Sequence, residues 1–357
     1  MLTSVSVIVP AKNEEKVIGN CIESLLNLDY PEDKLEIIVS IDDSTDKTLE
    51  ICKEYEPRVK VIESSPKKCK AEALNEVLPS AKGEIIGIYD ADCIVERNCL
   101  KEVMKHFSNK DIAGVSGLIK SYNKNKSLIA KSLSLETCFV SFSEYFINKL
   151  GANAHFFGKN MFIRKNILEK IGGFDEYTFL EDTELSVRMK RLGYKVIFEP
   201  EAITWHEEPE NFRSFLRQRS RISRGALRLK KLKTQKNLKD WLSDLMHGMN
   251  YYFSPFGLII ATILLLAYLF GIPYIFFVPI LILFAFNILM IIYSRIFYKE
   301  SLKDLIFMPI WFLLTNFYCF ICFPKAYIDE KRNKNIKWNK VERSNYEGLG
   351  QLLGSYR

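Results

Sequence analysis

The sequence predicts an α/β protein whose first domain is a doubly wound, mostly parallel sheet with helices on both faces. β-rich runs alternate with helical patterns over the first hundred residues. The runs LEIIVSI and EIIGIY are continuously apolar, as strands buried on both faces are. Long apolar stretches begin only after about residue 250 of the 357. The chain is therefore expected to be a soluble domain followed by a membrane domain.

The elements of the first domain follow in a regular order. SVSVIVP predicts the first strand, and a helix is expected over 13–28. LEIIVSI, VKVIE and EIIGIYDAD predict three further strands, separated by helices over 46–55 and 67–80. In a sheet of this kind ligands bind beyond the carboxyl ends of the strands. The residues that follow these runs are therefore the first candidates for function.

A later segment, 127–149, has apolar residues at helical spacing, namely Leu133, Phe139, Phe142 and Phe146. This spacing predicts a helix that packs in the core or faces a membrane, rather than a cofactor site.

Composition suggests where the parts of the chain begin and end. The N-terminus MLTSVSVIVP lacks the basic leader and apolar helix of a secretion signal, so the first domain is expected to be cytoplasmic. We expect four parts: a soluble domain over 1–210, basic amphipathic interface helices over 211–252, a transmembrane region over 253–323 with spans at about 253–271, 274–293 and 305–323, and a basic C-terminal tail over 324–357.

The path of the third apolar stretch has two interpretations. Three full spans would put the tail on the outer side of the membrane. The tail, 324–357, however holds eight Lys or Arg against four acids, and basic segments favour the cytoplasmic side. Pro309 and Asn316 would suit a re-entrant path for 305–323 instead. We favour three spans, and both paths keep the first domain beside the bilayer.

The positive charge is concentrated in one segment. Residues 211–236 hold ten Lys or Arg and no acid, within a chain whose net charge is +7. Apolar residues such as Phe212, Phe215 and Leu229 are interspersed with these charges, and the first apolar stretch follows closely. This pattern favours a helix on an anionic lipid surface over a nucleic-acid site. We therefore expect a lipid bilayer as a partner and no nucleic acid.

The cysteines and most histidines are expected to be structural. The eight cysteines have no paired metal spacing in the soluble part, which argues against a disulfide framework or a zinc site. His106, His155 and His247 have no partner that the sequence identifies.

Carboxylates cluster after three of the predicted strands. PAKNE follows the first strand, DDSTD the second, and Asp90-Ala91-Asp92 the fourth. Asp46 is expected to cap the helix that follows it. Asp90 and Asp92, at i and i+2 of an extended segment, would repel each other without a cation between them. Oxygen ligands of this kind suit magnesium or manganese, which can bridge a diphosphate.

Seven motifs occur in a characteristic order: VSVIVPAKNEE, IDDSTDKT, KCKAEALN, DAD, FFGKNMFIRKNILEKIGGFDE, LEDTEL and RQRSRISRG. With them the chain resembles the inverting glycosyltransferases of family two, which have the GT-A fold and include cellulose, chitin and hyaluronan synthases and lipid glycosyltransferases. The resemblance covers about residues 4–225, with a looser similarity over Trp338 to Arg343. It implies a GT-A catalytic domain over 1–210.

The resemblance also implies a site for a nucleotide diphosphate sugar. Asp92 is implied as a ligand of Mn²⁺ or Mg²⁺, with Asp90 beside it and His206 as a third candidate ligand. A UDP-sugar is favoured over a GDP-sugar. The residues implied to hold the donor are Pro10, Lys12, Glu14, Ile41, Asp43, Lys70, Asp90 and Ala91.

The acceptor side is implied by two further motifs. Asp182 of LEDTEL matches the catalytic base, whereas Glu181 is expected only to be a favourable first-turn acid of a helix. Gln218 and Arg221 match the Gln and Arg of the QxxRW motif and would reach the diphosphate or the acceptor sugar. Ile222 stands where that motif has tryptophan, which disfavours a processive polymer synthase.

We therefore expect an inverting transfer of a sugar to a hydroxyl of a membrane lipid or lipid-linked saccharide, at the cytoplasmic face of the cell membrane. Asp182 motivates the hydroxyl acceptor, since a phosphate acceptor would need no base. A processive polysaccharide synthase is the alternative. A nucleotidyltransferase would have no evident use for LEDTEL and RQRSRISRG together, and a non-catalytic membrane binding protein would have no use for the carboxylates.

Overall fold

The computed structural model describes residues 3–64, 66, 69–178, 180–229, 292–298, 314, 321–322, 324–328 and 331. Strands and helices alternate through the catalytic region. The strands are β1 (Val5–Ala11), β2 (Leu35–Asp42), β3 (Lys60–Ser64), β4 (Ile85–Ile88), β5 (Ile94–Val95), β6 (Ile112–Ser121), β7 (Met161–Arg164) and β8 (Lys195–His206). The α-helices are α1 (Ile18–Leu26), α2 (Thr48–Lys53), α3 (Lys70–Val77), α4 (Cys99–His106), α5 (Leu128–Lys149), α6 (Lys165–Lys170), α7 (Glu181–Arg191) and α8 (Phe212–Leu229).

The strands form one sheet in the order β3-β2-β1-β4-β7-β6-β8-β5. Its first half is parallel, because β1 pairs with both β2 and β4, and β2 pairs with β3. The second half is mixed: β7 runs antiparallel to β4 and β6, β5 runs antiparallel to β8, and β6 and β8 are parallel. The α/β prediction is confirmed, and the sheet is more mixed than the sequence suggested.

The first helix begins later than the sequence pattern indicated. α1 starts at Ile18 rather than near residue 13, because Asn13 has a φ of 54° and lies in the left-handed region. The backbone from Asn13 to Glu15 bonds instead to the loop that follows β2. α2 is also shorter than expected, Thr48–Lys53, and its N-cap position is Lys47 rather than Asp46. The Asp46 carboxylate, one residue earlier, accepts the Thr48 N–H at 3.0 Å.

Apolar side chains cover both faces of the sheet. Val7, Val9 and Val39 pack with α1 and α4 on one face. Ile8 and Ile38 point to the other face, where α3, α5 and α7 cover them. Each such fully buried side chain contributes roughly 1.5–3 kcal/mol of transfer free energy. This two-sided core holds the carboxyl ends of β1, β2 and β4 in a fixed arrangement.

The helix expected over 127–149 is present as α5, and the Ser127 side chain caps it by accepting the Ala130 N–H at 3.0 Å. Leu133 and Phe142 are buried. A short π-helical turn, Ser294–Tyr298, packs against α5, and the Tyr298 hydroxyl donates to the Ile119 carbonyl at 2.5 Å. The structure therefore confirms a core position for α5.

The cysteines of the catalytic region behave as buried apolar side chains, as expected. The seven cysteines among the described residues are all free and buried. Burial raises the pKa of Cys52 and of Cys99 to about 12. Such thiols are poor nucleophiles at neutral pH.

The start of the basic interface segment is the amphipathic helix α8, whose Arg219 guanidinium forms two 2.6 Å hydrogen bonds with the Glu136 carboxylate. None of the helices in the described ranges is long and apolar enough to cross a bilayer. The spans predicted at 253–271, 274–293 and 305–323 lie outside those ranges, except for 292–293, 314 and 321–322. The tail over 324–357 lies outside them except for 324–328 and 331.

Candidate active site

Two loops at the carboxyl ends of β1 and β2 are joined by hydrogen bonds. The Asn13 side chain accepts the Thr45 N–H at 2.7 Å, and the Asn13 N–H donates to the Ser44 hydroxyl at 3.0 Å. The Glu14 N–H donates to the Thr48 hydroxyl at 2.7 Å. The predicted donor residues of both loops, from Pro10 to Glu14 and from Ile41 to Asp43, therefore line one shared rim of the sheet.

Within this rim the two neighbouring acids Asp42 and Asp43 have different surroundings. Asp42 is buried and pairs with the Lys12 ammonium at 3.1 Å. Asp43 is exposed and has a φ of 38°. Asn13 and Asp43 are the two non-glycine residues with positive φ among those described, and such strain tends to cluster at functional sites. Asp42 is an additional candidate because it fixes Lys12.

The DAD motif forms a turn rather than the extended segment that the spacing suggested. The Cys93 N–H donates to the Asp90 carbonyl at 3.0 Å, which closes a four-residue turn after β4. The Asp92 side chain is fully buried, whereas about a quarter of the Asp90 side chain (26%) is exposed. Ala91 between them is buried. The two carboxylates consequently have different partners.

Lys70, at the first position of α3, connects three chain segments. Its ammonium lies 2.5 Å from the Asp90 carboxylate, 3.2 Å from the Glu181 carboxylate and 3.0 Å from the Gly158 carbonyl. Burial lowers the pKa of Lys70, but Asp90 and Glu181 raise it by more, so the pKa lies above its usual value. Lys70 therefore remains a cation at the centre of the site.

Asp182, in the first turn of α7, contacts Gly158. One oxygen of its carboxylate accepts the Gly158 N–H at 2.8 Å, and the other accepts the Thr183 N–H at 2.7 Å. A Cβ atom at Gly158 would lie 3.0 Å from the Asp182 carboxylate and 3.4 Å from the Lys70 ammonium. The absence of a side chain at Gly158 lets Lys70 and Asp182 both bond to the backbone of this residue.

Glu181 belongs to the site although the sequence assigned it only a helix-end role. Its side chain is buried at the start of α7 and pairs with Lys70. Burial raises the pKa of the Glu181 carboxyl, and the Lys70 ammonium opposes that shift only in part. The one feature of the sequence that could have pointed to Glu181 was its position next to Asp182.

A second lysine, Lys159, lies between two of the predicted metal ligands. Its ammonium is 3.4 Å from the Asp92 carboxylate and 2.8 Å from His206 Nδ1. His206, at the end of β8, also contacts the Glu208 carboxylate through Nε2 at 3.1 Å. Burial raises the pKa of Glu208, but His206 lowers it by more, to about 2. Sequence reasoning missed Lys159, which follows Gly158 in the motif FFGKN.

The positions and donor atoms of these residues bear on whether they could hold a divalent cation. Over the described part of the chain, no three His, Cys, Asp or Glu side chains are arranged to hold a metal ion. Asp92 and His206 nevertheless face one position, since both lie within 3.4 Å of the same Lys159 nitrogen. Asp90 lies two residues away in the same turn. Carboxylate oxygens and an imidazole nitrogen suit Mn²⁺ or Mg²⁺, so the donor set fits the cation.

The predicted residues of α8 lie at the border of the site. Gln218 and Arg221 are both half-buried, one turn apart on the helix. The Arg221 guanidinium is close enough to lower the pKa of the Glu181 carboxyl, which burial raises. α8 therefore reaches the acceptor-side acids through Arg221.

The remaining described histidines lie outside this site. His106 Nε2 is 2.6 Å from the Glu199 carboxylate, and the backbone N–H of His155 donates to the Glu144 carboxylate at 2.7 Å. Both contacts join elements of the fold, in agreement with the structural role expected for them. His247 lies outside the described residues.

Comparisons with known sequences agree with this geometry. Residues 6–172 match the family model described as glycosyl transferase family 2. A probable glycosyltransferase of Bacillus subtilis (strain 168), YdaM, is 38% identical over 232 residues, which is 63% of this chain and 55% of that protein. The β-monoglucosyldiacylglycerol synthase of Nostoc sp. is 34% identical over 194 residues, or 53% of this chain and 41% of that protein. The chain thus spans about half the length of these two relatives.

A third relative matches along most of both chains. The poly-β-1,6-N-acetyl-D-glucosamine synthase of Staphylococcus epidermidis is 25% identical over 369 aligned positions, covering 96% of this chain and 88% of that protein.

Among solved structures, the mannosyltransferase PcManGT of Pyrobaculum calidifontis, determined in complex with GDP-Man and Mn²⁺, matches with a TM-score of 0.60. The match covers 90% of this chain and 88% of that chain at 20% identity, which supports the GT-A-like fold. The family match over 6–172 and the glycosyltransferase relatives agree with the fold. The chain therefore carries a family 2 glycosyltransferase domain over residues 6–172.

Proposed function

We propose that the protein transfers a sugar from a nucleotide diphosphate donor to a hydroxyl of a membrane lipid or lipid-linked saccharide, with inversion at the anomeric carbon. The observation that carries this proposal is the arrangement around Gly158. Its N–H holds the Asp182 carboxylate at 2.8 Å, and its carbonyl holds the Lys70 ammonium, which pairs with Asp90 of the DAD turn. A single displacement needs a base on one side of the reacting carbon. On the other side it needs a cation beside the carboxylates of the donor site.

The donor side is assigned to the rim and the DAD turn. Lys12 and Asp42 at the rim offer a cation and a buried acid to the nucleoside, and Lys70 offers a positive charge to the diphosphate. Asp90, Asp92 and His206 would hold a divalent cation, which when bound neutralises charge on the departing diphosphate. We favour a UDP-sugar over a GDP-sugar as the donor and Mn²⁺ or Mg²⁺ as the cation.

Asp182 is assigned as the general base. Its carboxylate takes the proton of the acceptor hydroxyl while that oxygen bonds to the anomeric carbon and the bond from this carbon to the diphosphate oxygen breaks. The hydrogen bonds from the Gly158 and Thr183 N–H groups fix the direction of the carboxylate before the acceptor arrives. Attack from the face opposite the leaving group inverts the anomeric centre.

Three observations support a membrane acceptor at the cytoplasmic face. The basic helix α8 approaches Glu181 through Arg221, next to the proposed base. The apolar stretches of the sequence follow that helix closely. The Nostoc relative is by name a synthase of β-monoglucosyldiacylglycerol, a lipid product. A catalytic domain beside the bilayer could act on a lipid head group without extracting the lipid.

A processive polysaccharide synthase is the second candidate. The Staphylococcus epidermidis relative, a poly-β-1,6-N-acetyl-D-glucosamine synthase by name, aligns with 96% of the chain. Ile222, where the QxxRW motif has tryptophan, removes a ring that could stack on a growing sugar chain. We therefore place single transfer first, and the length of the product on a gel separates the two candidates.

The proposal is tested with a panel of UDP- and GDP-sugars. The full chain in detergent is incubated with each donor, membrane lipids, and Mn²⁺, Mg²⁺ or EDTA, and free nucleoside diphosphate and glycolipid are measured. We expect metal-dependent release of one nucleoside diphosphate together with a singly glycosylated lipid. Release of pyrophosphate instead would indicate nucleotidyl transfer, and no release from any donor would contradict the proposed activity.

A further inference from the structure

Lys159 occupies the position between Asp92 and His206 where a shared cation would bind. Its ammonium lies 3.4 Å from Asp92 Oδ2 and 2.8 Å from His206 Nδ1. The Asp92 side chain is fully buried and that of His206 is 6% exposed, so a positively charged partner stabilises the buried carboxylate. The structure thus supplies its own cation at this point.

A lysine and a divalent ion cannot both occupy this position. Two cations a few ångströms apart repel each other strongly where the surroundings are protein rather than water. Metal binding therefore requires the ammonium to leave. The side chain of Lys159 is 21% exposed, and its flexible four-carbon stem allows the ammonium to move while the backbone stays in place.

The diphosphate of the donor would give the displaced ammonium a new partner. The Lys159 backbone is adjacent to Gly158, which contacts both Lys70 and Asp182, so the lysine lies at the centre of the site. A diphosphate bound at the DAD turn brings several anionic oxygens within reach of a side chain of this length. Binding of the ion would then increase the affinity of the protein for the donor, and binding of the donor would increase its affinity for the ion.

We propose that Lys159 is an internal competitor of the divalent cation, so that the metal binds weakly without nucleotide and tightly together with the donor diphosphate. This inference depends on the proposed function, because it assumes a metal and a nucleotide diphosphate at the DAD turn. It assigns Lys159 a positioning role: the residue sets the order in which metal and donor bind. Without Lys159, the ion would bind to the empty enzyme.

The test measures Mn²⁺ affinity directly, by the electron paramagnetic resonance signal of free Mn²⁺, for the full chain in detergent without nucleotide. We expect Lys159→Met to bind Mn²⁺ at least about tenfold more tightly than the wild type. Lys159→Arg keeps the charge and should bind as weakly as the wild type. Lys53→Met removes an exposed lysine of the same charge from the surface pair with Glu63 and is the matched control, with no change expected.

Addition of UDP or GDP provides the second part of the test. The nucleotide should tighten Mn²⁺ binding in the wild type by a larger factor than in Lys159→Met, because the variant has no ammonium to displace. Combining Asp92→Asn with Lys159→Met should abolish the tight Mn²⁺ binding. This loss would show that the ion binds beside Asp92. If Lys159→Met folds poorly, Lys159→Ala is compared instead, with thermal unfolding with and without Mn²⁺ as the readout.

Equal Mn²⁺ affinity in the wild type and in Lys159→Met or Lys159→Ala, with or without nucleotide, would overturn the inference. A second result would also overturn it: the wild type transfers sugar at the full rate in EDTA, and Lys159→Met does not. Lys159 would then replace the metal rather than compete with it. Neither result affects the glycosyltransferase assignment. If no donor is turned over at all, the proposed function fails, and the nucleotide-free Mn²⁺ titration still decides whether Lys159 competes for the ion.

Discussion

At the scale of single residues, Lys70 joins the two halves of the site. The sequence suggested a lysine near the diphosphate, at the start of a helix. In the structure the ammonium pairs with Asp90, which we assign to the donor side, and with Glu181, which lies next to the proposed base. Its removal would leave the partly exposed Asp90 and the buried Glu181 close together without the ammonium between them, which is the costly way to break a buried ion pair.

We therefore expect Lys70→Met to lower the free energy of unfolding by about 3–5 kcal/mol, the usual cost of removing one partner of a buried pair. Urea unfolding of the full chain in detergent measures this change. Lys53→Met is the control, because Lys53 and Glu63 are both more than half exposed and such pairs contribute about 0–1 kcal/mol. Equal effects of the two substitutions would contradict the central position assigned to Lys70.

At the scale of elements, helix α8 packs tightly on the loop that precedes α7. A Cβ atom at Gly225 would lie 2.4 Å from Leu180 Cγ, so the helix approaches this loop at its glycine. The Arg228 guanidinium donates to the Tyr177 carbonyl at 2.6 Å a turn further on. Leu180 immediately precedes Glu181 and Asp182, and the helix therefore supports the position of both acids.

Gly225→Ala should reduce the rate of sugar transfer about tenfold, because Leu180 must move and the acids beside it move with it. We expect donor affinity to stay near that of the wild type, since the donor rim lies elsewhere. Gly19→Ala on α1 is the matched control: its Cβ atom would meet only ordinary contacts of 3.5 and 3.7 Å, so transfer should not change. Wild-type rates in Gly225→Ala would show that α8 does not position the acids.

A second link between elements joins the end of α4 to β8. His106 Nε2 lies 2.6 Å from the Glu199 carboxylate, which also accepts the Glu201 N–H at 2.9 Å. Burial raises the pKa of Glu199, but the hydrogen bonds from His106 and from the Glu201 N–H, together with nearby positive charge, lower it by more, so the pKa is lower in the folded state. The carboxylate therefore contributes stability above the pKa of an unfolded glutamate, about 4.3, and this contribution is lost as the pH falls through the folded value.

Glu199→Gln should accordingly be less stable than the wild type between pH 5 and 7, by about 1 kcal/mol, and the difference should disappear towards pH 3. Denaturant unfolding across this pH range measures it. Glu54→Gln, which changes an exposed acid, should follow the wild type at every pH. A difference for Glu199→Gln that persists at pH 3 would assign the effect to packing rather than to the carboxylate.

At the scale of the whole molecule, the sequence predicted the parallel half of the fold better than the mixed half. β1, β2 and β4 are largely buried and read as apolar runs, so these strands could be predicted. β7 pairs antiparallel with both β4 and β6, and this arrangement depends on contacts between distant segments that no local pattern reveals. The late start of α1 also depends on a distant loop, through Asn13 and Thr45.

The candidate site, like the fold, has residues that the sequence could suggest and residues that it could not. Asp90 and Asp92 could be proposed as site residues from their spacing and charge, and Asp182 could be proposed from the resemblance of LEDTEL to a family motif. Lys159 could not, since it meets Asp92 across 67 positions of sequence and only through the folding of β7 beside β4. Local motifs thus predict which residue types a site contains, whereas tertiary packing determines which of them are paired.

The central claim is that Asp182 is the base of a sugar transfer on this domain, and the rate of transfer by Asp182→Asn tests it most directly. Asparagine can still accept the Gly158 N–H but cannot take a proton, so the loss should fall near the roughly 10²–10⁴-fold that general bases contribute. Donor affinity should remain close to that of the wild type. Full transfer activity in Asp182→Asn would contradict the account.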